Sequence, residues 1–175
     1  MKSFIRQILD SFVVGSDAAR LSVFRFNAVI DSRTQILLKD FPDDKEGFLR
    51  AYDRIPYDGQ GTRTGAALTH ALNVMLAPGN GNRPGIPDSV FVITDGVSQD
   101  HVTSAANKLR LAGVEVYAVG VVPPRGNLNR RQLFDIAGRA ENLVIAEQGF
   151  DGLDQSLFDD IQRQICTEGC FEELV

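Results

Sequence analysis

The sequence predicts an α/β fold, a doubly wound, mostly parallel open sheet with helices on both faces. Three observations lead there. Stretches of helical and strand period alternate along the whole chain in the order α-β-β-α-α-β-α-β-α-β-α, the pattern that builds layered α/β sheets. Residues Ser89–Thr94, SVFVIT, form a short apolar run of the kind expected for a central parallel strand buried on both faces. That run stops abruptly at Thr94-Asp95-Gly96. The carboxyl end of such a strand is where open α/β sheets bind their ligands.

The elements follow in order. Phe4, Ile5, Ile8, Leu9 and Phe12 share one helical face, and Gly15 closes that first helix. Arg20–Asn27 alternates as a strand, Asn27–Arg33 is a turn, and Thr34–Lys39 is a second strand, so an antiparallel hairpin is expected at a sheet edge. Pro42 breaks the chain before a short helix over Lys45–Ile55 that buries Phe48, Leu49 and Tyr52. The glycine-rich loop GQGTRTG, Gly59–Gly65, leads into a helix from about Thr64 to Leu76, with Ala67, Leu68, Ala71, Leu72 and Met75 facing inward. Pro78–Pro87 is rich in Gly, Pro and Asn and is expected to be irregular and mobile. A helix over His101–Ala112, a strand over Val114–Val122, a helix over Asn129–Ala137 and a strand over Leu143–Ala146 come next. Leu153, Leu157, Ile161 and Ile165 recur every four residues and mark a last amphipathic helix.

Composition narrows the function classes. The 175 residues suit one domain with a real core, at 43% hydrophobic and 23% charged residues. A net charge of −5 without a long basic run disfavours nucleic-acid binding. No apolar stretch approaches the ~20 residues that span a bilayer. The N-terminus carries Lys2 and Arg6 but breaks its apolar run at Gln7 and Asp10, so it reads as an amphipathic helix and not as a signal peptide. Cys166 and Cys170, a C-x3-C pair with no histidine nearby, are weak as zinc ligands. They are thiols at a helix end, or one of them pairs outside this chain.

The candidate site rests on Asp95, Thr62 and Thr64. Each has an ordinary alternative. Asp-Gly after a strand is a common turn. Either threonine suits the N-cap of the following helix. Taken together, a carboxylate and two hydroxyls on strand-to-helix loops match the donors of a hard cation such as magnesium. An under-neutralised ion held mainly by hydroxyls would accept a carboxylate from a partner, which makes an adhesion site without any nucleophile or base. The enzyme readings are poorer. GQGTRTG lacks the lysine of a phosphate-binding G-x4-G-K-[ST] loop, and no G-x-S-x-G elbow is present. His70 and His101 are expected on exposed or half-buried helix positions, with no catalytic role.

GSDAARLSVFRFN, GQGTRTGAALTHAL, SVFVITDGVSQD, LRLAGVEVYAVGV and LFDIAGRAENLVIAEQGFDGL, in this order, resemble the von Willebrand factor type A domain, above all the copies in matrilins and collagen VI. The resemblance runs from about Ser3 to Cys166. It implies a six-stranded sheet in the order 3-2-1-4-5-6 with strand 3 antiparallel. It also implies a metal-ion-dependent adhesion site built from three loops: a D-x-S-x-S after strand 1, a threonine matched by Thr62 and an aspartate matched by Asp95. No D-x-S-x-S precedes Ser3.

Residues 1–166 are therefore expected to form a domain of this type lacking strand 1 and its loop, with 167–175 as a tail. Five strands in the order 3-2-4-5-6 should leave unpaired edges that favour self-association. The resemblance also implies a partner cysteine ahead of strand 1, so Cys166 is expected to find none in this chain. Magnesium would belong to the complete domain, and Thr62 and Asp95 alone are not expected to hold it. The expected role is non-enzymatic binding of extracellular matrix proteins such as collagens, by a secreted protein. The alternative is a magnesium-dependent phosphoryl-transfer enzyme using Asp95.

Overall fold

The computed structural model describes residues 2–56, 61–95, 97–123, 125 and 127–159. The elements are α1 (Lys2–Ser11), β1 (Val23–Phe26), β2 (Ile30–Ile36), α2 (Lys45–Asp53), α3 (Thr64–His70), β3 (Ser89–Thr94), α4 (Thr103–Leu111), β4 (Glu115–Val121), α5 (Arg130–Ala137) and β5 (Leu143–Ala146), and residues 155–159 are helical. The expected tail, Cys166, Cys170, Ile161 and Ile165 lie outside the described residues.

Strands β3, β4 and β5 form a parallel sheet in that order, with Val92 opposite Ala118 and Val119 opposite Val144. The hairpin β1–β2 is antiparallel and forms its own ladder. Among the described residues no ladder joins β1 to β3. β3 is thus paired along one edge, and Val90, Phe91 and Ile93 stay only half-buried. The strand buried on both sides is β4, where Val116 through Val121 are all buried. The all-apolar character of Ser89–Thr94 predicts that central role for β3. Among the described residues β3 has a neighbour on one side only.

Side chains alternate between two covered faces, as period-two geometry requires. Val92, Val116 and Ala118 pack with Leu68, Ala106, Leu109, Leu133 and Ile136, which places α3, α4 and α5 on one face. Val119, Val121 and Val144 pack with Phe4, Ile8, Leu157 and Phe158, which places α1 and residues 155–159 on the other. A third cluster, Ile36, Phe48, Leu49, Tyr52 and Ile55, seats α2 against the hairpin. Helices on both faces of a mostly parallel sheet are the expected α/β arrangement.

Local chemistry shifts three elements from their sequence expectation. The hairpin turn is tighter, because Asn27 Oδ1 accepts the Val29 amide at 2.9 Å and starts β2 at Ile30. Arg25 then faces Asp31 while Val23 faces Ile36, so β2 bulges across residues 32–35. Asp31 Oδ1 accepts the amides of Arg33 and Thr34 inside the bulge, at 3.1 and 3.3 Å. The helix expected to run to Leu76 turns π-helical over Ala71–Met75. Its loosened carbonyls are met from outside: Asn80 Nδ2 donates to Val74 O at 2.8 Å and Asn82 Nδ2 to Leu76 O at 3.0 Å.

The same asparagines belong to the segment expected to be irregular. It holds a 3-10 turn at Pro78–Asn80 and is tied down by side chains that reach into it and out of it. Arg20 donates to Gly81 O at 2.8 Å, and Arg83 donates to Ser16 O and Ala18 O at 2.6 and 2.7 Å.

Candidate functional site

Three loops meet at the carboxyl ends of β1 and β3. The Arg63 amide donates to Asn27 O at 3.0 Å, which joins the loop before α3 to the end of β1. Gln99 joins that loop to the one after β3. Its amide donates to Thr62 O at 2.7 Å, and its Oε1 accepts the Thr62 amide at 3.3 Å. Gly61 makes this approach possible. It has φ +84°, and a Cβ there would stand 2.9 Å from Gln99 Oε1 and 3.0 Å from Ala28 Cβ.

Thr62 is thereby fixed beside the loop that begins at Asp95, and both residues are half-buried. Asp95 follows directly on Thr94, the last residue of β3. The histidines keep to the periphery. His101 is exposed, and half-buried His70 lies 4.9 Å from the Phe24 ring with Nε2 2.8 Å from Gln35 Oε1.

Neither threonine caps α3. The N-cap position is Arg63, and its side chain makes no capping bond. The first amides of the helix are held instead by the loop across the site. Ser98 Oγ accepts the Thr64 amide at 3.0 Å, and Asp100 accepts those of Gly65 and Ala66 at 2.8 and 2.9 Å. Ser98 Oγ donates to Asp100 Oδ1 at 2.6 Å, and Gln132 Oε1 fixes the Ser98 amide at 2.7 Å. Burial pushes the Asp100 carboxyl up. The Ser98 hydroxyl, the two amides and the nearby Arg63 outweigh that effect and hold it below the ordinary value.

Asp100 and Ser98 are the residues the sequence reading missed. The only signal was their place at the end of SVFVITDGVSQD, and a cap supplied from 34 or 35 residues away leaves no local pattern.

Thr64 ends up in an unusual state. It is 1% exposed, and its Oγ1 is buried without a hydrogen-bond partner among the described residues. Its hydroxyl therefore lies below the surface.

The oxygens of Thr62 and Asp95 are of the kind that magnesium takes beside the waters it keeps, but one carboxylate neutralises little of its charge. Asp100 is engaged by the α3 amides. No three His, Cys, Asp or Glu residues gather at one point among the described residues. Among the described residues, the charge gathered beside Thr62 is too small to fit the ion.

A sequence model of the von Willebrand factor type A domain matches residues 1–160. Matrilin-1 of Gallus gallus is 32% identical over 99% of this chain and 33% of its own length. The collagen alpha-5(VI) chain of Homo sapiens is 30% identical over 97% of this chain and 6% of its own length. The chain thus spans a third or less of either relative. Proximal thread matrix protein 1 from the mussel byssus, solved with a zinc-occupied MIDAS motif, superposes with a TM-score of 0.79. It is 25% identical, and the match covers 92% of this chain and 41% of that one. No described helix is long and apolar enough to cross a membrane.

Proposed function

The chain belongs to the von Willebrand factor type A family, and on that premise we propose that it is a non-enzymatic protein-binding module of an extracellular matrix protein. Its partners are matrix proteins such as collagens. The binding edge is the carboxyl end of β3, with Thr62 and Asp95 as the remnant of a metal-ion-dependent adhesion site. One observation carries this reading. Gln99 clasps Thr62 to the loop that Asp95 opens, which supports a shared surface for the two residues. A phosphoryl-transfer reading gains no support, since the second carboxylate of the region, Asp100, holds helix amides and is not free to act as a base.

The test is calorimetric titration of magnesium into the chain, paired with binding to immobilised fibrillar collagen with and without EDTA. We expect no saturable magnesium binding below about 1 mM and collagen binding that EDTA leaves unchanged. Saturable binding below that level, lost in Asp95→Ala, would show a complete metal site. Failure to bind any collagen preparation would count against the matrix-binding role.

A further inference from the structure

A groove lies between β2 and α2, with a volume of about 330 Å³. Buried Ile36 and Ile55 and half-buried Phe41 and Ala51 contribute its apolar lining, and exposed Arg33 and Arg54 line it as well. Both arginines offer positive charge beside this apolar lining, in a chain of net charge −5. Arg6, Arg25, Arg63, Arg130, Arg131 and Arg139 each pair with a carboxylate. Among the described residues Arg33 and Arg54 have no acidic side-chain partner. Asp40 also lines the groove and accepts the Leu37 amide at 2.8 Å, and the two arginines outnumber it.

We propose that this groove docks a short acidic peptide segment of a partner protein, one that carries an apolar side chain. The apolar side chain covers Ile36, Phe41, Ala51 and Ile55, and carboxylates on either side meet the two guanidiniums. Arginine binds carboxylates through paired N–H donors, so two unpaired guanidiniums beside an apolar floor select for both properties at once. A sulfated polysaccharide would use the charges and leave the floor uncovered.

Strand addition is disfavoured as the mode of binding. β2 bulges over residues 32–35, and Asp31 already takes the amides of Arg33 and Thr34. Recognition therefore falls to side chains.

The probe is a fluorescein-labelled decapeptide alternating Glu and Leu, titrated with the full chain and followed by anisotropy. We expect saturable binding that weakens as salt rises. A peptide alternating Glu and Ser should bind at least about tenfold more weakly, because it cannot cover the floor. Arg33→Glu/Arg54→Glu should lose at least about tenfold, and the milder Arg33→Gln/Arg54→Gln pair should fall between. Both arginines are exposed, so neither pair of changes disturbs the core. Asp95→Ala should bind like the parent chain, which separates this groove from the β3 edge.

No saturation by about 1 mM would overturn the proposal. So would equal binding of the Glu–Ser peptide, equal binding of a heparin oligosaccharide, or indifference to charge reversal. A change in sedimentation of the double variant without peptide would assign the groove to a second copy of this chain, and would also overturn it.

Discussion

The Tyr52 hydroxyl donates to the Lys2 carbonyl at 3.0 Å, and the Lys2 ammonium stands 5.7 Å from the centre of the Tyr52 ring. Lys2 Nζ also donates to Asp53 O and Ile55 O, at 2.6 and 2.7 Å. A cation thus meets the open carbonyls at the end of α2, where the helix dipole favours positive charge. The start of α1 and the end of α2 are locked together by two residues.

Tyr52→Phe should cost about 1 kcal/mol, the net worth of one hydrogen bond. Burial, with a smaller contribution from Asp53, raises the Tyr52 pKa above its ordinary value of 10.0. The protonated form is favoured by folding. Its stabilisation is complete below pH 10 and declines as pH rises above that value. Chemical denaturation across alkaline pH should show this decline in the parent chain and less of it in Tyr52→Phe. Identical profiles would remove the role given to Tyr52.

The hairpin carries the opposite dependence. Asp31 accepts from the Thr34 hydroxyl at 2.7 Å and pairs with Arg25 at 2.8 Å. These contacts lower its pKa from 3.8 to about 2. A depressed carboxylate stabilises the fold fully above pH 3.8, and that contribution fades as pH falls toward 2. Asp31→Asn should flatten the acid limb of the stability profile. An unchanged limb would show that other carboxylates control acid unfolding.

Asp100→Ala removes the acceptor for two amides of α3 and should cost about 1–3 kcal/mol, because backbone donors are left unmet. Asp95→Ala should change stability little, since no cap depends on it. Equal effects in urea denaturation would contradict this division between a supporting residue and a surface one.

β1 and β3 each present one edge that is unpaired among the described residues. Exposed edges are templates for pairing with another chain. Sedimentation velocity should show association that grows with protein concentration. A strictly monomeric profile throughout would end this expectation.

Much of the fold could be read from pattern alone. Ser89–Thr94 starts and ends as strand β3, and Leu143–Ala146 as β5, because apolar runs bounded by turn residues mark their own limits. The inward faces of α2 and α3 were equally plain: Phe48, Leu49, Tyr52, Ala67 and Leu68 are all buried. The site was legible as two loops and no further. Its geometry depends on Gln99 reaching Thr62 and on Asp100 reaching Gly65, contacts that join distant segments. The register of the hairpin was hidden for a related reason. It is set by where the Asn27 and Asp31 side chains turn back on their own backbone, and not by the alternation of apolar residues.

The bulge in β2 also bears on how large any assembly of this chain can grow. An open-ended fibre needs a receptive strand on each outer flank of the building block. Among the described residues one flank is β2, interrupted at residues 32–35, and the other is β5, only four residues long. Interrupted and short strands are poor templates. Association is therefore expected to run through β1 and β3, with little contribution from the outer flanks.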